Sequence, residues 1–159
     1  MKIGIVSGYF AGFHIGHKEY ITQALAESDK LYIILQSNKM LKKKYSENYV
    51  PPDVNEIKDN IEDFINGLAT TCSFEFEINN KKTIAKKLKK IAKEHKDDEV
   101  VFFKDGDRGL KSLPKKEIIA LYKNNIRFRF FGNKKIDSSR NFMKRRIKWE
   151  YLMKKQREE

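Results

Sequence analysis

Two histidines three residues apart, His14 and His17, flank Gly16 in the stretch Ser7-Gly8-Tyr9-Phe10-Ala11-Gly12-Phe13-His14-Ile15-Gly16-His17. Imidazole N–H groups can hold an anion whose charge grows as a reaction proceeds. Before the stretch lies Lys2-Ile3-Gly4-Ile5-Val6, a β-branched apolar run that reads as a buried parallel strand; after it, Lys18 to Ser28 has helical periodicity. The motif therefore sits on a strand-to-helix turn, which aims free N–H groups and the positive end of a helix dipole at the space beyond the strand. That environment suits a phosphate. With His14 at the helix mouth and His17 in the first turn, the spacing puts both imidazoles on one side. Gly16 lets a ligand come close to the backbone. Two of the chain's three histidines fall on this turn, which argues against coincidence. The third, His95, ends a lysine-rich helix and reads as structural.

The elements that must position this turn follow in order. Lys30-Leu31-Tyr32-Ile33-Ile34-Leu35-Gln36 is a second buried strand. The polar segment from Ser37 to Glu47, holding Lys39, Lys42, Lys43 and Lys44, reads as a loop whose ammonium groups can neutralise phosphates. Asp53 caps an amphipathic helix from Val54 to Leu68. Thr71 to Ile78 alternates with period two, as a strand near a sheet edge does, and Thr83 is placed to cap the lysine-coated helix that follows. Glu99 to Lys104 is a fourth strand running into a glycine-rich turn, Asp105-Gly106-Asp107-Arg108-Gly109. Pro114 opens a helix, Asn124 and Asn125 close it, and Ile126 to Phe131 alternates as a fifth strand with its arginines turned from the core. Asp137, Ser138 and Ser139 then begin a basic helix over about 138–155. Strands and helices alternating in this way predict an α/β fold, a five-stranded parallel sheet with helices on both faces.

The 159 residues, 40% of them hydrophobic, suffice for a single domain over 1–159. No run of residues resembles a signal peptide or a bilayer span, and the single cysteine, Cys72, excludes an internal disulfide and a cysteine-rich zinc site. A cytoplasmic protein without a membrane partner is the expectation. The formal charge of +12 implies affinity for polyanions. Lysine is scattered along the chain rather than gathered, so nucleic acid stays open as a partner but is not favoured.

The stretch at Gly8, Phe10, His14, Gly16 and His17 resembles the His-x-Gly-His signature of the nucleotidyltransferase superfamily, with Tyr9 in place of the family's threonine and Ala11 in place of its aspartate. In appearance it is closest to the small cytidylyltransferases of the glycerol-3-phosphate type. The resemblance implies a Rossmann-like domain that joins a nucleoside monophosphate from an NTP to a small phosphorylated acceptor and releases pyrophosphate. It implies His14, His17 and Lys44 as catalytic groups. Gly8, Tyr9, Phe10, Gly16, Lys42, Lys43, Gly106, Asp107, Arg108, Ser138 and Ser139 are the implied nucleotide-binding residues. Mg²⁺ would come with the NTP, and no protein ligand is assigned to it. CTP is favoured because the lysine segment and the Gly-Asp turn look like those of cytidylyltransferases. Alternatives are an adenylyltransferase using ATP, or a member that binds nucleotide or RNA without turnover, a reading that Ala11 motivates. A homodimer stays open.

Overall fold

The apolar run that opens the chain becomes the middle strand of the sheet. The computed structural model describes residues 1–45, 50–105 and 112–131. Along them lie β1 (Lys2–Gly8), α1 (Ile15–Ala26), β2 (Lys30–Gln36), α2 (Asn38–Lys44), α3 (Val54–Asn66), β3 (Ser73–Asn79), α4 (Ala85–Glu94), β4 (Glu99–Lys104), α5 (Lys115–Lys123) and β5 (Arg127–Phe130). The strands form one parallel sheet in the order β3-β2-β1-β4-β5. This is a Rossmann-like α/β arrangement. The chain winds outward from β1 to β3 and then returns to the other side of β1, so the winding reverses between β1 and β4. A crevice opens at such a point, beyond the C-terminal ends of the two strands.

Unbroken apolar strands are what a sheet covered on both faces requires, because alternate side chains serve different layers. Ile3, Ile5, Tyr32, Ile34 and Phe102 pack with Leu88 and Ile91 of α4 and with Ile118 and Leu121 of α5. Val6, Leu31, Ile33, Leu35, Val101 and Phe103 pack with Ile21 and Ala24 of α1 and with Ile57, Ile61 and Ile65 of α3. Each fully buried Ile, Leu or Phe contributes about 1.5–3 kcal/mol. β3 lies at the edge, as its alternation predicts, and Asp53 caps α3 by accepting the Asn55 N–H at 2.8 Å. Among the described residues no helix is long and apolar enough to cross a membrane.

Two local expectations are corrected. The segment after β2 is the helix α2 rather than a loop: the Ser37 hydroxyl accepts the Met40 N–H, Leu41 is fully buried, and three lysines in the last turn complement the dipole. Asn38 at its start is tied to α3, donating to Asp53 at 2.9 Å and accepting the Val54 N–H at 2.8 Å. Thr83 does not cap α4. The cap position is Ile84, and its backbone is hydrogen-bonded instead by the carboxyl of Glu117, reaching over from α5. The arginines of β5 alternate with the buried Phe128 and Phe130 as expected: Arg127 is exposed and pairs with Glu99, and Arg129, largely covered, pairs with Glu27, the residue that ends α1. A cation at a helix C-terminus is favourably placed against the dipole. The expected helix over 138–155 lies outside the described residues.

Candidate functional site

β1 ends in a turn that folds tightly back on itself. Gly12 has φ 79°, a value open to glycine, but Phe10 at φ 51° and Phe13 at φ 32° also take left-handed backbone, where a bulky side chain is strained. Packing holds them there. Phe10 is 2% exposed, with its ring centroid 5.3 Å from that of His17 and 6.2 Å from that of Tyr20; Phe13 lies 6.3 Å from His17. His17 thus has both phenylalanine rings as neighbours.

The two histidines cap α1 themselves. His14 is the cap residue, and its Nδ1 accepts the Gly16 N–H at 3.1 Å; His17 occupies the third helical position, and its Nδ1 accepts the His14 N–H at 3.3 Å. This is a reciprocal capping box with imidazoles in both roles. Its chemical consequence is a choice of tautomer. A neutral imidazole whose Nδ1 accepts must carry its proton on Nε2, so each ring offers an Nε2–H. Among the described residues neither Nε2 makes a hydrogen bond. The rings stack with centroids 3.8 Å apart. His17 titrates below the ordinary histidine value, first because it is partly buried and then because of His14 and Lys44, with Asp105 opposing. His17 is therefore a neutral donor at physiological pH. The cap also requires glycine at position 16: a Cβ on Gly16 would lie 2.9 Å from the Cε1 of His14 and displace its ring.

No family model and no curated protein matches the chain.

Further groups converge on this edge of the sheet. The Nζ of Lys44, the last residue of α2, sits 3.8 Å from the Tyr9 ring centroid, and its charge reaches both His17 and Lys104. β1 and β4 stay paired only as far as Ile5 and Phe102. Beyond that point the Tyr20 hydroxyl enters from α1, donating to the Phe103 carbonyl and taking a hydrogen bond from the Ser7 backbone. Complete burial pushes its pKa up, so it remains a neutral wedge. Lys104, Asp105 and Glu117 follow around the crevice, and Asp105 acts electrostatically on His17 and Lys104 alike.

The structure thus brings together His14, His17, Gly16, Phe10, Tyr9 and Lys44, with Gly8 ending β1 beneath them. Lys42 and Lys43 are exposed on α2. Gly106, Asp107, Arg108, Ser138 and Ser139 lie outside the described residues. Tyr20, Lys104 and Glu117 were not singled out by sequence reasoning. The parallel register, which sets Ser7 opposite Lys104, is the signal for one of them. Among the described residues no group of three or more His, Cys, Asp or Glu side chains gathers into a metal site. Asp105 and Glu117 are the carboxylates described around the crevice, and both act on Lys104.

Proposed function

We propose that the β1–α1 turn holds the α-phosphate of a nucleoside triphosphate, CTP in preference to ATP, and that the protein transfers the nucleotidyl group to a small phosphorylated acceptor. The observation that carries this reading is the pair of Nε2–H donors, fixed in tautomer by their own helix cap at the crevice between β1 and β4. An acceptor phosphate is already an oxyanion and needs no base. Its oxygen forms a bond to the α-phosphorus as the bond to the bridging oxygen breaks, and the electron pair leaves with pyrophosphate. No covalent enzyme intermediate is involved. His14 and His17 donate to the non-bridging oxygens as charge builds there, in a site already oriented for it. Lys44 is placed to neutralise the departing pyrophosphate. Mg²⁺, bound with the triphosphate, supplies charge neutralisation. The preference for CTP rests on the resemblance of the lysine segment and the Gly106-Asp107 turn.

Pyrophosphate release, screened over four nucleoside triphosphates and a set of phosphorylated acceptors, tests the reading. Turnover with CTP and one acceptor is the expected result. Nucleotide binding by calorimetry without turnover would replace it with a binding role, which Ala11 favours because the turn lacks the carboxylate the family carries there. Tighter binding of ATP would reverse the choice of base.

A further inference from the structure

The parallel register that pairs Ile5 with Phe102 sets Ser7 opposite Lys104 two residues later, just past the point where the two strands separate. By alternation both side chains point to the face covered by α4 and α5, whereas the histidine turn rises on the α1 face. The ends of β1 and β4 therefore present two different polar groups on two sides of one crevice.

Lys104 is a cation with capacity to spare. Its ammonium has three donors, and its hydrogen bond among the described residues is a long one, 3.5 Å to the Ser7 hydroxyl. Its counter-charges are Glu117, which is 7% exposed and takes a hydrogen bond from the Ile84 backbone, and after it Asp105. Burial drives both groups toward neutrality, Lys104 downward and Glu117 upward, and outweighs their mutual attraction at each end. A covered ammonium seated on a hydroxyl, with donors unspent, is built to receive an anion. Asp105 and Lys44 act on it electrostatically, and both act on His17 as well, so an anion at Lys104 and another at the histidines would lie around the same space.

We propose that Lys104, positioned by Ser7 and balanced by Glu117, binds the phosphate monoester of the acceptor and presents it to the nucleotide held at His14 and His17. This rests on the nucleotidyl-transfer reading for the identity of the second ligand, but the anion site itself does not. An attacking phosphate needs a partner that holds it in line without quenching its oxygen, and a single ammonium does so.

The test is calorimetric titration of inorganic phosphate into the full chain, alone and saturated with Mg²⁺ and α,β-methylene CTP. Wild type should bind one phosphate in the nucleotide-loaded state. Lys104→Met should weaken phosphate binding about tenfold or more, as loss of a charge-assisted contact does, with nucleotide affinity unchanged. Glu117→Gln keeps an acceptor for the Ile84 backbone while removing the charge, so phosphate should bind more tightly. Circular dichroism and the melting temperature verify that each variant is folded. Equal phosphate affinity in wild type and in both variants overturns the proposal, as does phosphate that binds only when nucleotide is absent, because that places it at the histidines. Phosphate binding that depends on Lys104 in a protein that binds no nucleotide would leave the anion site standing and remove the nucleotidyl-transfer reading.

Discussion

Histidine is used in opposite ways at the two edges of the sheet. At the edge where β4 begins, His95 donates from Nδ1 to Asp98 at 3.0 Å and takes the Tyr32 hydroxyl on Nε2 at 2.7 Å, while Asp98 also holds the amino group of Met1 at 3.2 Å. A carboxylate only accepts, so the His95 proton is on Nδ1. Both of its nitrogens are spent on fixed protein partners. At the other edge the Nδ1 atoms of His14 and His17 accept backbone N–H groups and the protons are on Nε2, facing outward. What separates His95 from the pair on the β1–α1 turn is therefore whether the second nitrogen is already used. In the sequence all three are single letters. The reading of His95 as structural agrees with its partners.

The largest test of this contrast is to remove the outward donors while keeping the cap. His14→Ser retains a side-chain oxygen for the helix N-terminus and loses the Nε2–H, and His17→Ala loses its donor outright. Turnover should fall on the order of 10² to 10³-fold in each, with His14→Ser melting as wild type does. Turnover within a fewfold of wild type in both would assign the pair to capping alone. A second substitution acts on placement rather than on the donor. Gly16→Ala pushes the His14 ring from its position, and a misplacement near 1 Å costs about a hundredfold in rate. The displaced ring also caps the helix, so a loss of about 0.5–2 kcal/mol in stability should accompany it.

At the opposite edge the outcome inverts. His95→Ala leaves the Tyr32 hydroxyl without its imidazole partner, at a cost of about 1–3 kcal/mol in unfolding free energy, and turnover should be unaffected. Denaturant unfolding and the pyrophosphate assay together read both arms. The smallest effect is on the pH dependence of stability. His17 has a folded pKa below its unfolded value, so the unfolded chain binds more protons between the two. Stability should thus be complete above about pH 6.5 and decline as the pH falls through the folded value. His17→Ala should flatten that window. Asp98 is held below the usual carboxylate range by His95 and then by the terminal amine, so its contribution is lost only at more acid pH, and Asp98→Asn should leave the upper window intact.

How legible each part was depends on where its cause lies. β2 and β4 are apolar runs whose ends coincide with the observed strands, and Asp53 caps α3 as read, because in each case the cause is local. The position of the histidines at the mouth of α1 was equally plain. Their mutual capping was not, although His14 and His17 stand where a capping box has its two members. α2 was hidden because lysine dominates its composition and its stability comes from Leu41 and from the tie between Asn38 and α3. Glu117 gave no sign, and Lys104 gave one only through the register that sets it opposite Ser7. A lysine at a strand end is ordinary until a second strand sets a serine against it and a helix from another part of the chain brings a carboxyl behind it.

The central place of β1 also bears on how the protein is made. Its partners on one side, in β2, follow within about 30 residues, but those on the other side begin at Glu99. At ordinary rates of synthesis the ribosome needs about 5–20 s to cover that interval of roughly 100 residues. For all of that time the turn with both histidines exists without the wall that Lys104 and Phe103 later form, and one edge of an apolar strand is bare. Closing so long a loop is slow compared with local helix formation. The crevice is therefore among the last parts of the molecule to be completed, although its signature is among the first residues to emerge.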